Sequence, residues 1–448
     1  MKLIGEITKL RRHLTSFQIM IIGFICVILL GTFILALPVS SAAGIWTPFR
    51  EALFTATSAV CVTGLVVHDT GSYWSWLGQS VILELIQTGG LGVITAAATF
   101  LMLAGKNISL KTRSAMQDAL SAPAVGGIVN LTRLIIWGTF IIEIIGALAM
   151  MPAFCRDHGL RGIWMAVFHS VSAFCNAGFD IMGSAAGTYV SLTAYAYEPS
   201  VNITIMLLVI IGGIGFLTWD DVRTYKLRLP HYSMQSKAVF AVTLPLIIFP
   251  AALFFFADFA GLPLKQRIFA ALFQAVTPRT AGYNTVDLLS MTEVSRAVMI
   301  ILMLVGGAPG STAGGMKVTT LAVLLSVSFA SFRRREEPEL FQRRLEDAAI
   351  KNAITVFTLY LTLFFIGGAI ISVAEKLPLD MCLFETASAV GTVGLTLGLT
   401  PKLGVLSQWV LIMLMFLGRV GGLTLIYAAF SGRDFSYAHF PKEKITVG

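Results

Sequence analysis

Long and short apolar stretches alternate along this chain in a fixed order. Residues 17–37 are apolar without a break, about the ~20 residues that cross a hydrocarbon core. A turn at Pro38 follows, then residues 49–59, an apolar stretch too short to cross. Residues 76–103 are long and apolar again. Both long segments share an outer end, so the short one enters part way and comes back. The order is helix, half-helix, irregular return, helix. It recurs over residues 129–151, 162–174, 175–179 and 201–219, then 238–257, 265–276, 277–283 and 294–332, then 350–373, 379–389, 390–395 and 404–430. Two full crossings per unit leave every unit in one orientation. The repeats are therefore parallel and can surround a common axis, unlike the inverted halves of many transporters. The prediction is an all-α polytopic membrane protein of four helix–pore-helix–helix repeats around a pseudo-four-fold pore. Repeat one falls in 1–103, a linker and repeat two in 104–220, a linker and repeat three in 221–332, a linker and repeat four in 333–430, and a cytoplasmic tail in 431–448.

The returns resemble one another. They read Ser58-Ala59-Val60-Cys61-Val62-Thr63-Gly64-Leu65, Ser172-Ala173-Phe174-Cys175-Asn176-Ala177-Gly178-Phe179, Thr277-Pro278-Arg279-Thr280-Ala281-Gly282-Tyr283 and Ser388-Ala389-Val390-Gly391-Thr392-Val393-Gly394-Leu395. Their glycines lie 114, 104 and 112 residues apart. The half-helices share Leu53-Phe54, Val167-Phe168, Leu272-Phe273 and Leu383-Phe384, and in repeat three this pair sits one residue closer to its glycine. Irregular backbone at membrane depth survives only when buried in protein or lining water. Four returns around one axis can turn carbonyl oxygens inward to replace a cation's hydration shell. Glycine reaches the backbone angles this needs. The alternative is that each glycine only permits a tight turn or close helix packing.

Composition narrows the class. The chain is 56% hydrophobic and 12% charged, where soluble domains run nearer a quarter charged. The first apolar run is too long for a signal-peptide core and is kept as a membrane helix. The longest polar stretch, around 332–351, is too small for a sensing domain, which is expected on another chain. The net charge of +8 is not a nucleic-acid footprint: 21 of the 32 Lys and Arg lie in the N-terminus, the three linkers and the tail, nine lie on the other side, and Lys317 and Arg419 lie inside apolar segments. That bias puts both termini in the cytoplasm. The five cysteines show no metal-ligand spacing. No paired carboxylates, HExxH or credible Ser/His pair supports an enzyme.

Residues 294–332 are anomalous. One helix there would be about 58 Å long at ~1.5 Å per residue. Its middle, Gly306-Gly307-Ala308-Pro309-Gly310-Ser311-Thr312-Ala313-Gly314-Gly315, resists helix. Two half-helices around a mobile loop below the returns are predicted, with a rigid kink as the alternative. Gly315-Met316-Lys317-Val318 lacks the Gly-Lys-Ser/Thr of a phosphate loop. Arg419, inside an apolar helix, is expected to face a water-filled cavity or a carboxylate such as Glu84 or Glu143. Lys317 is expected to snorkel toward the cytoplasm. His169 and Glu385 read as hydrogen-bond supports for the returns. Asp69 and Asp287 follow the returns as cation-attracting or solvated loop residues.

With these motifs in place, nearly the whole chain resembles the superfamily of potassium transporters that includes Trk, Ktr and plant HKT proteins, and within it the membrane subunits of bacterial Ktr systems (the KtrB type). The resemblance implies a potassium-channel-like fold in one chain and a selectivity filter with one key glycine per segment. The filter segments are then Val62, Thr63 and Gly64; Asn176, Ala177 and Gly178; Thr280, Ala281 and Gly282; and Thr392, Val393 and Gly394. The sodium-preferring plant branch has serine at the first glycine, so Gly64 implies potassium over sodium. The absence of a full TVGYG implies weaker selectivity than a potassium channel's. The family's gating loop coincides with Gly306, Gly307, Gly310, Ser311, Thr312, Gly314 and Gly315, and its pore-barrier arginine with Arg419. Further implications are K+ as the transported ion, possible activation by Na+, a homodimer with one pore per protomer, and a cytosolic nucleotide-binding RCK subunit of the KtrA type in the plasma membrane complex. The basic residues Arg333–Arg335, Arg343, Arg344, Lys442 and Lys444 offer that subunit a docking surface, or only carry the orientation signal. A sodium-coupled symporter is the alternative activity.

Overall fold

The computed structural model describes residues 15–420 apart from 104–107, 109, 121–125, 185–186 and 336, and beyond 420 only 421, 422, 424, 427 and 443. Lys106, Lys442, Lys444 and most of the predicted tail lie outside the described residues.

Four long helices open the repeats: Ser16–Ala36, Ile128–His158, Met234–Ala257 and Asp347–Glu375. Each is long and apolar enough to cross a bilayer. The first begins at a capping box, with Thr15 Oγ1 accepting from the Gln18 amide and Gln18 Oε1 accepting from the Thr15 amide. It stops ahead of Pro38, which disfavours helix in the residue before it. Only about a third of each span is buried, 28–33%. Leu30, Trp137, Phe249 and Val373 stand on the open faces, where an apolar surface suits lipid and not water.

The half-helices are Phe49–Val60, Arg161–Phe174, Leu264–Val276 and Leu379–Gly391. They form the centre. Phe54, Phe168, Phe273 and Phe384, the second residue of each shared pair, are all buried. Their partners Leu53, Val167, Leu272 and Leu383 are less uniformly so. Each half-helix packs against the opening helix of its own repeat. The closing helix of each repeat then packs on the half-helix of the next: Trp76–Leu91 on the second, Pro199–Gly213 on the third, Glu293–Leu304 on the fourth, and Val405–Val420 back on the first. That last contact closes the circle.

The closing helices differ from the straight segments read from hydropathy. Trp76–Leu91 meets Val93–Thr99 at 101°, and Pro199–Gly213 meets Phe216–Tyr225 at 96°. The corners are Gly92 (φ +87°) and Gly215 (φ +91°), in a left-handed region that no continuous α-helix contains. Gly421 (φ +88°) ends Val405–Val420 in the same way. In repeat three, Glu293–Leu304 and Val318–Phe332 flank a non-helical segment, 305–317. Linker elements not read from the sequence include a helix at Leu110–Leu120, a short helical turn at Leu229–His231, and a two-residue antiparallel pair of Glu339–Leu340 with Arg343–Arg344.

Candidate functional site

The four half-helices end within a few residues of Gly64, Gly178, Gly282 and Gly394, and the structure brings these glycines into one ring. A Cβ added to Gly64 would lie 2.4 Å from the Ala177 carbonyl oxygen; to Gly178, 2.7 Å from that of Ala281; to Gly282, 2.3 Å from that of Val393; and to Gly394, 2.2 Å from that of Thr63. The chain of contacts passes through all four repeats and returns to its start. All four glycines have positive φ, +91°, +67°, +81° and +94°. Two residues earlier, Val62, Asn176, Thr280 and Thr392 are also left-handed. Thr63, Ala177, Ala281 and Val393, between them, are not. Alternation of hand brings the carbonyl oxygens of Thr63, Ala177, Ala281 and Val393 into the ring, and a ring of backbone carbonyls is the kind of lining that replaces a cation's water. The half-helix C-termini converge here, each contributing about −0.5 of an elementary charge from its macrodipole. The arrangement favours a cation.

Hydroxyls at the start of each motif hold the returns. Ser58 Oγ accepts from the Gly64 amide (3.1 Å) and Ser388 Oγ from the Gly394 amide (3.0 Å). Ser172 Oγ donates to Phe179 O (2.8 Å) and Thr277 Oγ1 to Tyr283 O (2.7 Å). Tyr283 OH donates across repeats to Phe179 O (3.1 Å). Reading the sequence gave these residues no role, although they open every motif it quoted.

Glu385 is buried and acts as a tie. Thr396 Oγ1 (2.5 Å), the Leu397 amide (3.1 Å) and Thr400 Oγ1 (2.6 Å) donate to its carboxylate, joining the fourth half-helix to the chain beyond its return. Glu385→Ala leaves these donors unpaired. At about 1–3 kcal/mol for each unsatisfied buried donor, the loss is expected to be about 3 kcal/mol once water relieves part of it. The check is the thermal unfolding midpoint in detergent, and an unchanged midpoint would show the carboxylate idle. His169 is not a support of this kind: its ring nitrogen Nδ1 pairs with Met165 O (2.7 Å) on its own helix, among Phe154, Phe168 and Tyr283. Asp69 caps Thr70–Tyr73 and accepts from the Tyr189 amide (2.8 Å); Asp287 caps Leu288–Ser290. Burial pushes the Asp180 carboxyl, at the start of the outer loop, up to about 7, with the Asp69 charge adding to it.

Segment 305–317 lies against the returns. Its base is closed by the Gly306 amide to Met316 O (2.7 Å) and the Val318 amide to Gly307 O (3.0 Å). It is seated on the corner of repeat two: the Ala308 amide donates to Gly213 O (2.8 Å), and the Phe216 amide to Gly310 O (2.7 Å). Thr312 Oγ1 donates to Phe174 O (3.0 Å), and a Cβ on Gly314 would collide with Thr392 Oγ1 at 2.0 Å.

Arg419 reaches this segment without a carboxylate. Its Nη1 donates to Thr312 O (2.5 Å), and its Nη2 to Gly89 O (2.5 Å) and Gly90 O (3.1 Å). Glu84 is exposed, and Glu143 pairs with Gln87 (3.4 Å). Both expected acidic partners are thus replaced by carbonyls. Gly89 and Gly90 are in the last turn of Trp76–Leu91, where carbonyls run out of regular helical donors; the Gly92 amide also donates to Gly89 O (3.2 Å). Lys317 does not snorkel: its ammonium donates to Ala313 O (2.7 Å) and Gly314 O (3.4 Å). Both cations line a cavity of ≈ 350 Å³, together with Thr95, Asp118 and Tyr360. A third cation escaped the sequence reading. Arg279, within the return 277–283, is buried, and its Nη2 donates to Gly306 O (3.2 Å). Among the linker arginines, Arg344 pairs with Glu337 (2.8 Å) and Arg335 with Glu339 (3.5 Å), which leaves less free charge for docking than the count implied.

Fold and site together define an all-helical polytopic membrane protein whose four repeats enclose one backbone ring. Residues 8–437 match the family described as "TrkH: Cation transport protein", and the chain belongs to that family. It is 38% identical over 452 residues to the potassium/sodium uptake protein NtpJ of Enterococcus hirae, covering 98% of this chain and 99% of that one. It is 37% identical over 438 residues to the Ktr system potassium uptake protein B of Bacillus subtilis, covering 96% of each. The fold is similar to the crystal structure of the potassium transporter TrkH from Vibrio parahaemolyticus, with a TM-score of 0.67 at 19% identity over 90% of this chain and 84% of that one.

Proposed function

We propose that this chain passes potassium across the plasma membrane through the glycine ring. Val62, Thr63 and Gly64, with the matching residues of the other three returns, strip and replace the ion's water. Segment 306–315 occludes the path below, and Arg419 sets an electrostatic barrier beside it. The observation that carries this reading is the closed circle of glycine-to-carbonyl contacts through all four repeats. Backbone carbonyls in a ring suit a monovalent cation, because they offer partial negative charge without the full charge of carboxylates. Support for potassium comes from the names of the relatives. One relative belongs to a Ktr system, which fits a homodimer working with a cytosolic nucleotide-binding RCK subunit of the KtrA type, both termini being cytoplasmic.

The test is ion uptake into liposomes holding the purified chain, with potassium and sodium compared under an imposed potential. Potassium uptake without sodium, rising with voltage, is the expected result. The name of the Enterococcus hirae relative also specifies sodium, so a second reading is sodium-coupled uptake. Potassium entry that requires sodium at a fixed ratio would replace the first reading with the second. If neither ion enters, adding an RCK subunit of the KtrA type is expected to restore entry; continued silence would count against both.

A further inference from the structure

Asn176 has the only carboxamide among the four left-handed residues that stand two before the ring glycines; the other three are Val62, Thr280 and Thr392. Its backbone φ of +58° is one that asparagine tolerates better than most side chains. The side chain is buried and fully engaged. Nδ2 donates to Arg279 O (3.1 Å) and Thr280 Oγ1 (3.2 Å), both in the return of repeat three. Oδ1 shares the single Thr312 Oγ1 proton, in the segment below, with Phe174 O (3.3 Å against 3.0 Å). One amide thus touches two neighbouring returns and the occluding loop at once. Arg279 makes a second link beside it, since its own guanidinium holds Gly306, where the loop begins. The four-fold plan does not require this linkage, because Val62 at the matching place in repeat one has no polar atom.

We propose that Asn176 is a positioning residue that couples the filter to the loop: the returns of repeats two and three keep their ion-selective spacing only while Thr312 is seated on Asn176. This rests on reading the glycine ring as the filter and segment 306–315 as its gate. When the loop leaves, Thr312 Oγ1 withdraws from Phe174 O and from Asn176 Oδ1. A buried carboxamide oxygen stripped of its donor turns to find another. The turn shifts Nδ2 away from Arg279 O and Thr280, and with it the carbonyl spacing between the two returns. Opening therefore changes which cation the filter prefers as well as how fast ions pass.

The experiment compares the parent chain, Thr312→Val, Asn176→Gly and the double variant in liposomes, reading the potassium-to-sodium permeability ratio from ion flux under imposed potentials. Thr312→Val keeps the side-chain shape and leaves the carbonyl for Arg419. Asn176→Gly keeps access to positive φ. Each is expected to lower the ratio about three- to tenfold, the range that one buried hydrogen bond spans. The double variant is expected to lower it no further than the stronger single, because both remove one shared linkage. Faster flux with an unchanged ratio in Thr312→Val, or fully additive effects, would overturn the proposal. If Asn176→Gly does not elute as an assembled protein, Asn176→Leu takes its place: it keeps much of the side-chain volume, adds no charge and lacks both the acceptor and the donor to Arg279 O, and is expected to lower the ratio likewise. Gly64→Ser, run in parallel, separates the two levels of argument. A ratio that responds to Gly64→Ser but not to Thr312→Val rejects the coupling alone; a ratio that responds to neither rejects the filter with it.

Discussion

Gly64→Ser is expected to cut the preference for potassium over sodium by about tenfold or more, equivalent to ~1.4 kcal/mol of differential binding. Two effects combine. The backbone at Gly64 has φ +91°, and a side chain held in left-handed conformation costs about 1–2 kcal/mol. The new Cβ would also stand 2.4 Å from the Ala177 carbonyl oxygen and 3.1 Å from Gly178. Neither neighbour is a flexible side chain. Either the return of repeat one moves back, or the Ala177 carbonyl turns out of the ring. In both cases the proposed cage of oxygens loses its spacing, and a smaller or partly hydrated ion is expected to gain. Gly44→Ser provides the control. Gly44 also has positive φ, +67°, but an added Cβ meets nothing within 4 Å. It should carry the strain with no change in ion preference. The measurement is competitive uptake of the two ions into liposomes, and an unchanged ratio in Gly64→Ser would remove the filter assignment.

The repeat plan was legible because hydrocarbon imposes it. A segment of about 20 apolar residues must cross and one of a dozen cannot, so the order of long and short stretches encodes the topology. The returns were legible because the same glycine recurs at nearly equal spacing. Direction within an apolar stretch was not. Gly89-Gly90-Leu91-Gly92 and Gly212-Gly213-Ile214-Gly215 are as apolar as a straight helix, and glycine is common in membrane helices. Hydropathy therefore runs through corners of 101° and 96°. The positive φ of Gly92 and Gly215 is a tertiary choice. Only segment 306–315, with proline, serine and threonine among its glycines, announces a break.

The partners of Arg419 were hidden for a related reason. An arginine in an apolar helix directs attention to acids, and Glu143 lies at a plausible depth. Yet the corner at Gly92 interrupts the helix: the Gly89 carbonyl receives the Gly92 amide (3.2 Å) in a turn, and Arg419 donates to both the Gly89 and the Gly90 carbonyls. One unforeseen bend thus produced one unforeseen partner. Arg279 stood inside the return 277–283 with no role of its own; the fold directs its guanidinium toward Gly306.

Deleting Gly310–Gly314 is expected to raise the initial rate of potassium uptake by about tenfold or more, again ~1.4 kcal/mol off the barrier. The base of the segment survives the deletion. The bonds from the Gly306 amide to Met316 O and from the Val318 amide to Gly307 O lie outside the removed residues, as does the contact of Ala308 with Gly213. Ala308, Pro309 and Gly315 remain to close the turn. What goes is the part that touches the returns, Thr312 on Phe174 and Asn176 and Gly314 against Thr392, together with the Gly310 carbonyl that holds the Phe216 amide and the Ala313 and Gly314 carbonyls that hold Lys317. Arg419 loses the Thr312 carbonyl but keeps those of Gly89 and Gly90, so its charge stays in place. The variant therefore tests the loop with the proposed arginine barrier still present. Adding Arg419→Ala to the deletion then asks whether the two obstruct in series. A further rise in rate means that each opposes ions separately, while no further rise means that the arginine acts only by holding Thr312. If the deletion alone leaves the rate unchanged in a protein that still elutes as an assembled species, segment 306–315 is a structural kink, and the barrier lies with Arg419 and the helix ends it bridges.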